Sequence, residues 1–169
     1  MRISPVFACL LVAAPPVSAQ ETAGFEHPRL PISIEAPSDW TGAAWPGDPG
    51  VYEVSAPDRS VRVLLWFTLT EQHASRYLAK MVNMKPLETV SKPEPFEVDG
   101  HEAWRVAARG TEQGDEDVDE ILATIQVGEP GPASGSYVFQ VWCPDERAIE
   151  LRPLMEEILG SLRIEDPAG

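Results

Sequence analysis

Hydrophobic and polar residues alternate along much of the chain, and this period of two predicts β-strands. The clearest run covers residues 60–69, where every second residue from Val61 to Leu69 is apolar. Leu64 and Trp66 lie on the other face of this run, which predicts a strand buried from both sides. Further strands are predicted at residues 31–37, 51–55, 87–91, 94–98, 101–109, 121–127, 136–143 and 161–164.

Asp99-Gly100 separates two of these runs and predicts a two-residue β-hairpin. A type I′ turn requires positive φ at both central residues, and Asp-Gly is a pair that accepts it. The predicted register places Glu94 opposite Arg105, Phe96 opposite Ala103, Glu97 opposite Glu102 and Val98 opposite His101. We expect this hairpin to form the middle of an antiparallel sheet.

Two stretches carry the longer period of amphipathic helices. In the first, we expect Thr70 to be the N-cap and Pro86 to end the helix. In the second, an apolar stripe ends at Leu162, and we place Pro153 at the first helical position, where a missing N–H costs least. A large sheet with two helices predicts the α+β class, as a single domain over residues 30–165.

Residues 1–19 have the pattern of a secretory signal peptide. Arg2 precedes a short apolar run, and small residues precede a predicted cleavage site between Ala19 and Gln20. The apolar run is too short to span a bilayer, so stable membrane insertion is not expected. We therefore predict a periplasmic or secreted protein, in which residues 20–29 form a flexible N-terminal arm.

The chain is strongly acidic. Its 169 residues include 27 acidic and 13 basic side chains, for a net charge of −14. This charge repels nucleic-acid phosphates and anionic lipid, so binding to DNA, RNA or a membrane surface is not expected. The same charge favours a soluble monomer and suits a basic partner.

Cys143 is the single cysteine that remains after the predicted cleavage, because Cys9 lies in the leader. No internal disulfide can then form. Cys143 lies in an apolar strand, where we expect a buried structural thiol rather than a nucleophile.

Motifs for catalysis or cofactor binding are missing from the sequence. The turn around Ser134 lacks the Gly-x-Ser-x-Gly spacing, and His27, His73 and His101 form no His-x-x-x-His pair. We therefore predict no enzyme activity and no cofactor.

An acidic stretch follows calcium-loop spacing at Asp115, Asp117 and Asp119, which would supply oxygen ligands at alternate positions. However, Glu120 stands where the loop requires glycine, and Gln126 replaces the closing glutamate. A weak cation site and a solvated acidic loop are the two interpretations.

Trp40 and Trp45 lie in a turn-rich stretch, where tryptophan can anchor a partner or an apolar ligand. We name both as candidate binding residues. The alternative is that they close one end of the core. Trp66, Trp104 and Trp142 lie in predicted strands, and we expect them in the core.

The chain resembles the PsbP-like superfamily through short motifs in matching order. They are Ile32–Trp40 with its Pro-x-x-Trp ending, Val98–Ala103 in the hairpin, and Tyr137–Cys143 followed by Glu156–Arg163. Leu162 departs from the phenylalanine more often found there. The resemblance implies an antiparallel β-sheet covered by helices in an α/β/α sandwich. It also implies a binding or assembly role, and it carries no active-site motif onto this chain.

These observations favour an exported, soluble, non-enzymatic binding or assembly module whose partner is an unknown protein or a small apolar ligand. One alternative is a small-ligand or lipid carrier with a cavity between the sheet and the long helix. A second alternative is a weak calcium binder.

Overall fold

The computed structural model describes residues 21–84, 87–111, 117–132 and 134–165. The predicted leader and its cleavage site at Ala19 and Gln20 lie outside these ranges. The described chain forms β1 Thr22–Glu26, β2 Ile32–Pro37, β3 Thr41–Trp45, β4 Asp48–Ser55, β5 Arg62–Leu69, α1 Ala74–Met84, β6 Leu87–Thr89, β7 Glu94–Val98, β8 His101–Thr111, β9 Asp117–Val127, β10 Gly135–Pro144, α2 Ala148–Gly160 and β11 Arg163–Ile164. None of the described helices has the length and apolar character needed to cross a membrane.

The larger sheet is antiparallel and follows the order β3-β4-β5-β10-β9-β8-β6, with β7 also paired to β8. Strands β9 and β10 lie in its middle. Their consecutive residues Leu122 and Ala123, like Val138 and Phe139, are fully buried although they point to opposite faces. Both faces of the central strands are therefore covered.

The two helices cover opposite faces of this sheet. Leu122 of β9 packs with Leu78 of α1. Its neighbours Ile121 and Ala123 point the other way, and they belong to the cluster that contains Met155 of α2. The predicted α+β class and α/β/α sandwich are confirmed.

A second, smaller antiparallel sheet has the order β1-β2-β11. Ile32, Ile34, Ala36 and Ile164 from this sheet are buried in the same cluster as α2. The small sheet and α2 therefore share one face of the large sheet, and α1 lies on the other.

The prediction of a flexible arm over residues 20–29 is wrong, because Thr22–Glu26 forms β1. In the register of β1 with β2, Phe25 lies opposite Ile34, and its side chain packs against the main cluster. The sequence did not predict β1, because Phe25 is its one large apolar side chain and the exposed residues around it give no clear hydrophobic alternation.

Helix α1 begins later than predicted, at Ala74. The carbonyl oxygen of His73 accepts the N–H of Tyr77 at 3.0 Å, so His73 opens the helix. Thr70 Oγ1 accepts the N–H of Gln72 at 3.1 Å in a turn before the helix, and it is not the N-cap.

Helix α2 begins at Ala148, after a 3₁₀ turn over Asp145–Arg147, and the prediction that Pro153 starts it is wrong. Pro153 lies inside the helix. Its missing N–H would have bonded to the carbonyl of Ile149. Ile149 is exposed, and the helix continues through the proline.

The Asp99-Gly100 hairpin has the predicted register, with φ of 47° at Asp99 and 85° at Gly100. The predicted pair of Glu94 and Arg105 forms, with 3.5 Å between Oε2 and Nη2. The predicted position of the hairpin is wrong, since β7 pairs with β8 at one end of the sheet. The middle is taken instead by β9 and β10, which are buried on both faces.

Asp99 joins the hairpin to the small sheet, because its Oδ2 accepts the N–H of Ile164 at 2.8 Å. Replacing Asp99 with glycine keeps positive φ and removes this bond. We expect the Asp99→Gly variant to lose about 1–3 kcal/mol of unfolding free energy in urea titrations. The Asp99→Ala variant should lose roughly 1–2 kcal/mol more, because alanine is strained at this φ. A glycine variant as stable as the wild type would contradict a stabilising role for the bond.

His27 joins β1 to β4 in a buried position, with an exposed fraction of 5%. Its Nδ1 accepts the N–H groups of Arg29 and Leu30 at 3.1 and 3.2 Å. Its Nε2 therefore carries the proton and donates to the carbonyl of Gly50 at 3.2 Å. Burial lowers the pKa of His27, although the bond to Gly50 acts in the opposite direction.

This geometry makes stability depend on pH. Because the pKa of His27 is lower in the folded state, the stabilisation is complete above the ordinary value of 6.5 and declines as the pH falls below it. We expect the melting temperature to fall between about pH 7 and pH 5. The His27→Asn variant keeps an acceptor near the Nδ1 position without titrating, so its melting temperature should respond less over this interval. Equal pH responses of the two proteins would contradict the assignment to His27.

Candidate interaction surface

The two predicted binding residues have different environments. Trp40 has an exposed fraction of 7% and belongs to the main apolar cluster. Its predicted binding role is therefore wrong, because its indole fills the core beside the small sheet. Trp45, at the end of β3, is only partly buried and remains accessible.

The register of β3 against β4 shifts after Ala44, where residues 49–51 of β4 have no partner in β3. Ala43 lies opposite Glu53, and strand alternation places Trp45 on the same face as Ala43. The Trp45 indole lies there on the guanidinium of Arg62, with 5.0 Å from Cζ to the ring centroid. Trp142 of β10 stacks on the same guanidinium at 4.8 Å.

Arg62 is held between these two rings by Glu53 of β4. The Nε of Arg62 donates to Glu53 Oε1 at 2.7 Å, and Arg59 reaches the same oxygen at 3.2 Å. A guanidinium can stack on aromatic faces while its N–H groups bind a carboxylate in the ring plane. The stack is therefore a fixed feature of the sheet surface.

The apolar side chains of Val51, Leu64 and Trp66 continue this surface along β4 and β5. The three are partly buried, and none belongs to either of the apolar clusters formed by the described residues. Register places Trp66 between Val51 and Val138, and Leu64 opposite Gln140. We call Val51, Leu64 and Trp66, together with the stack of Trp45, Arg62 and Trp142, the open face.

The prediction that Trp142 lies in the core is confirmed, since its exposed fraction is 8%. Trp66, which was also predicted to lie in the core, is only partly buried, and Arg62 and Leu64 were not singled out as surface residues. Strand alternation identified the face that Leu64 and Trp66 share. Strand alternation could not show which part of this face α1 covers. Helix α1 packs mainly on β8, β9 and β6.

No family model and no curated protein matches the sequence. Among solved structures, cyanobacterial PsbP (CyanoP) of Synechocystis sp. PCC 6803 superposes with a TM-score of 0.64 at 12% identity, covering 92% of this chain and 99% of that one. This chain has the PsbP-like fold. LpqN of Mycobacterium tuberculosis matches with a TM-score of 0.55 at 13% identity, covering 88% and 87% of the two chains. The Ran-binding protein Mog1p of Saccharomyces cerevisiae matches with a TM-score of 0.58 at 9% identity, covering 88% and 97%. Identities this low establish the fold and leave the function open.

In this PsbP-like chain, apolar side chains fill the contact between α1 and the sheet. Leu78 and Val82 of α1 are buried against Val106 and Leu122. An apolar ligand would have to displace these side chains to enter between the helix and the sheet. The carrier alternative therefore gains no support from this contact.

The predicted cation residues are only partly described, because Asp115 lies outside the described ranges. Asp117 is exposed and lines an open depression of about 400 Å³ together with Pro144, Asp145 and Glu146. Asp119 is fully buried, and its Oδ2 forms a short ion pair with Arg152 of α2. Among the described residues, no group of three or more metal-ligating side chains could hold an ion.

Cys143 lies opposite Asp119 in the sheet and is fully buried, as the predicted structural thiol should be. Burial, and then the charge of Asp119, raise the pKa of Cys143 to about 11. The thiol is therefore protonated at neutral pH, and a protonated, buried thiol is a poor nucleophile.

One polar network has the order of a hydrolase triad. The Oγ of Ser75 lies 2.9 Å from His73 Nδ1, and His73 Nε2 lies 3.2 Å from Glu102 Oε2. The other Glu102 oxygen accepts the indole N–H of Trp104 at 2.9 Å. This bond and then the contact with His73 lower the pKa of Glu102, so the carboxylate stays ionised.

The first-turn amides of α1 show that this network caps the helix. The N–H of Ser75 is oriented toward His73 Nδ1, and the N–H of Ala74 donates to Gln126 Oε1 at 2.8 Å. The next two amides donate to the carbonyl of His73. These first-turn N–H groups are therefore already paired and do not offer an oxyanion hole.

The pair of Arg152 and Asp119 yields a stability prediction. The Arg152→Met variant leaves a buried carboxylate unpaired, and we expect it to lose about 3 kcal/mol of unfolding free energy. Adding Asp119→Asn removes the charge and should recover much of that loss. The Arg76→Met variant at an exposed position of α1 is the control, with a change within about 0.5 kcal/mol. Equal effects of the two single variants in urea titrations would show that the pair is not critical.

Proposed function

We propose that this chain is an exported, non-enzymatic binding module whose open face receives an amphipathic helix of a partner protein. The observation that carries the proposal is the apolar surface of Val51, Leu64 and Trp66 beside α1, outside both apolar clusters. A sheet face of this kind is buried by another layer in stable assemblies.

The spacing of the layers favours a helix as the occupant. Neighbouring strands lie about 4.8 Å apart, and packed helices lie roughly 8–10 Å apart. A second helix packed beside α1 would therefore lie about two strands away from it. Since α1 lies over β8 and β9, that position reaches β5, where Leu64, Trp66 and the stacked Arg62 are partly exposed, whereas the residues of β10 on the same face are already buried.

The negative charge of the chain favours a partner helix whose polar side carries basic residues. A net charge of −14 attracts basic side chains and repels acidic ones. The partner helix should therefore have an apolar stripe for the open face and a basic opposite side.

Three further observations support this function. Residues 1–19 have the secretory pattern, and LpqN, which shares the fold, is described as involved in cell envelope biogenesis. Mog1p is a Ran-binding protein, so the fold has a precedent for binding another protein. Among the described residues, the raised pKa of Cys143 makes its thiol a poor nucleophile, and the paired amides of α1 offer no oxyanion hole beside Ser75, which supports a non-enzymatic role.

Site-specific photo-crosslinking tests the open face. We would place benzoylphenylalanine at position 66 of the tagged protein, irradiate the cell envelope fraction, and identify the adduct by mass spectrometry. The control carries the same group at position 149, where Ile149 is 97% exposed on α2. We expect a discrete adduct from position 66 and none from position 149. Adding Leu64→Glu should lower the yield at position 66 by at least about fivefold.

The same adducts from both positions, or a yield that is insensitive to Leu64→Glu, would contradict the proposal. An adduct peptide that is not an amphipathic helix would contradict the assigned occupant. A small apolar mass retained by the protein in native mass spectrometry would favour the carrier alternative instead.

A further inference from the structure

The described part of the large sheet ends at β3, which has β4 on one side and no described strand on the other. Its first four residues, Thr41–Ala44, are exposed. In a strand paired on one side only, alternate residues direct their N–H and C=O groups outward. These groups form a template for another strand.

The opposite end of the sheet carries the usual protection against such pairing. There, β7 contains Pro95 between Glu94 and Glu97, and β6 contains the exposed Glu88. Proline and charged side chains on an edge strand disfavour the addition of a further strand. Strand β3 has the sequence Thr-Gly-Ala-Ala-Trp, with neither a charge nor a proline.

Gly42 of β3 packs closely against the neighbouring strand. A Cβ built at Gly42 would come within 2.0 Å of the Tyr52 hydroxyl oxygen, so a larger residue would require the Tyr52 side chain to move. The register shift after Ala44 ends the regular pairing with β4, so the template is the four residues Thr41–Ala44.

We propose that the outer edge of β3 binds an extended, basic peptide segment of a partner protein by adding it to the sheet as a strand. The backbone of Thr41–Ala44 would provide the hydrogen bonds, and the small side chains of β3 would allow close approach. This edge is a second surface, and it does not depend on a helix at the open face.

Charge favours a basic peptide over a second copy of this chain. Asp39 and Asp48 are both exposed, and they lie just before and just after β3. Antiparallel pairing of two β3 strands would bring two chains that each carry −14 together beside these carboxylates. A lysine- or arginine-rich strand would meet the same carboxylates with opposite charge.

A labelled synthetic peptide tests the proposal against the full chain. The probe is Thr-Lys-Val-Lys-Val-Lys-Thr, and fluorescence anisotropy measures its Kd. One matched peptide has glutamate in place of lysine, and a second has N-methyl groups on alternate amides. We expect binding of the lysine peptide only, together with slower amide hydrogen exchange in Thr41–Ala44.

Two single variants with the same change of charge locate the binding site. The Ala43→Lys variant places a positive charge on β3, and Thr89→Lys places one on β6 at the opposite end of the sheet. We expect the Kd to rise at least about tenfold for Ala43→Lys and to stay within about twofold for Thr89→Lys.

Several results would overturn the proposal. These are no detectable binding of the lysine peptide, equal affinity for the N-methylated peptide, and equal effects of the two variants. Self-association of the wild type that Ala43→Lys abolishes would assign the edge to a second copy of the chain, and it would also overturn the proposal. None of these results bears on the proposed helix binding at the open face, which the crosslinking experiment tests separately.

Discussion

The pairing of β9 with β10 is the interaction on which the rest of the structure depends. The register runs from Val118 opposite Pro144 to Val127 opposite Gly135. Side chains from these two strands reach both faces of the sheet and contribute to the burial of α1 on one face and α2 on the other. If one strand slipped by one residue in this register, its side chains that now pack on the α1 face would point toward α2.

Polar residues within these strands determine where the helices lie. Gln126 accepts the N–H of Ala74 through Oε1, and Thr124 donates to the carbonyl of Ala74 at 2.9 Å. Both backbone polar groups of Ala74, at the start of α1, are thereby bound from the sheet. On the other face, the ion pair between Asp119 and Arg152 plays the corresponding part for α2. Buried polar groups are costly when unpaired, so these contacts disfavour other helix positions.

This arrangement leaves part of the sheet for interactions with other molecules. Because α1 is bound over β8 and β9, the face above β4 and β5 is not covered by it, and the stack of Trp45, Arg62 and Trp142 lies there. The adjoining strand β3 ends the sheet without charges or proline. The open face thus follows from the position of α1. The unprotected β3 edge follows from the difference between the two ends of the sheet.

Local sequence determined the features that depend on neighbouring residues. Asp99-Gly100 specified its turn and register, alternation specified β5, β9 and β10, and the apolar run around Cys143 specified a buried thiol. Tertiary structure decided the features that depend on distant partners. Phe25 became part of a strand by lying opposite Ile34, Pro153 lies inside a helix and not at its first position, and Trp40 filled the core whereas Trp45 did not. The two tryptophans look alike in sequence, but Trp40 packs into the main cluster, whereas Trp45 stacks on an arginine two strands away. A pattern along the chain records which side chains share a face, and only the packed layers determine which of those faces is covered.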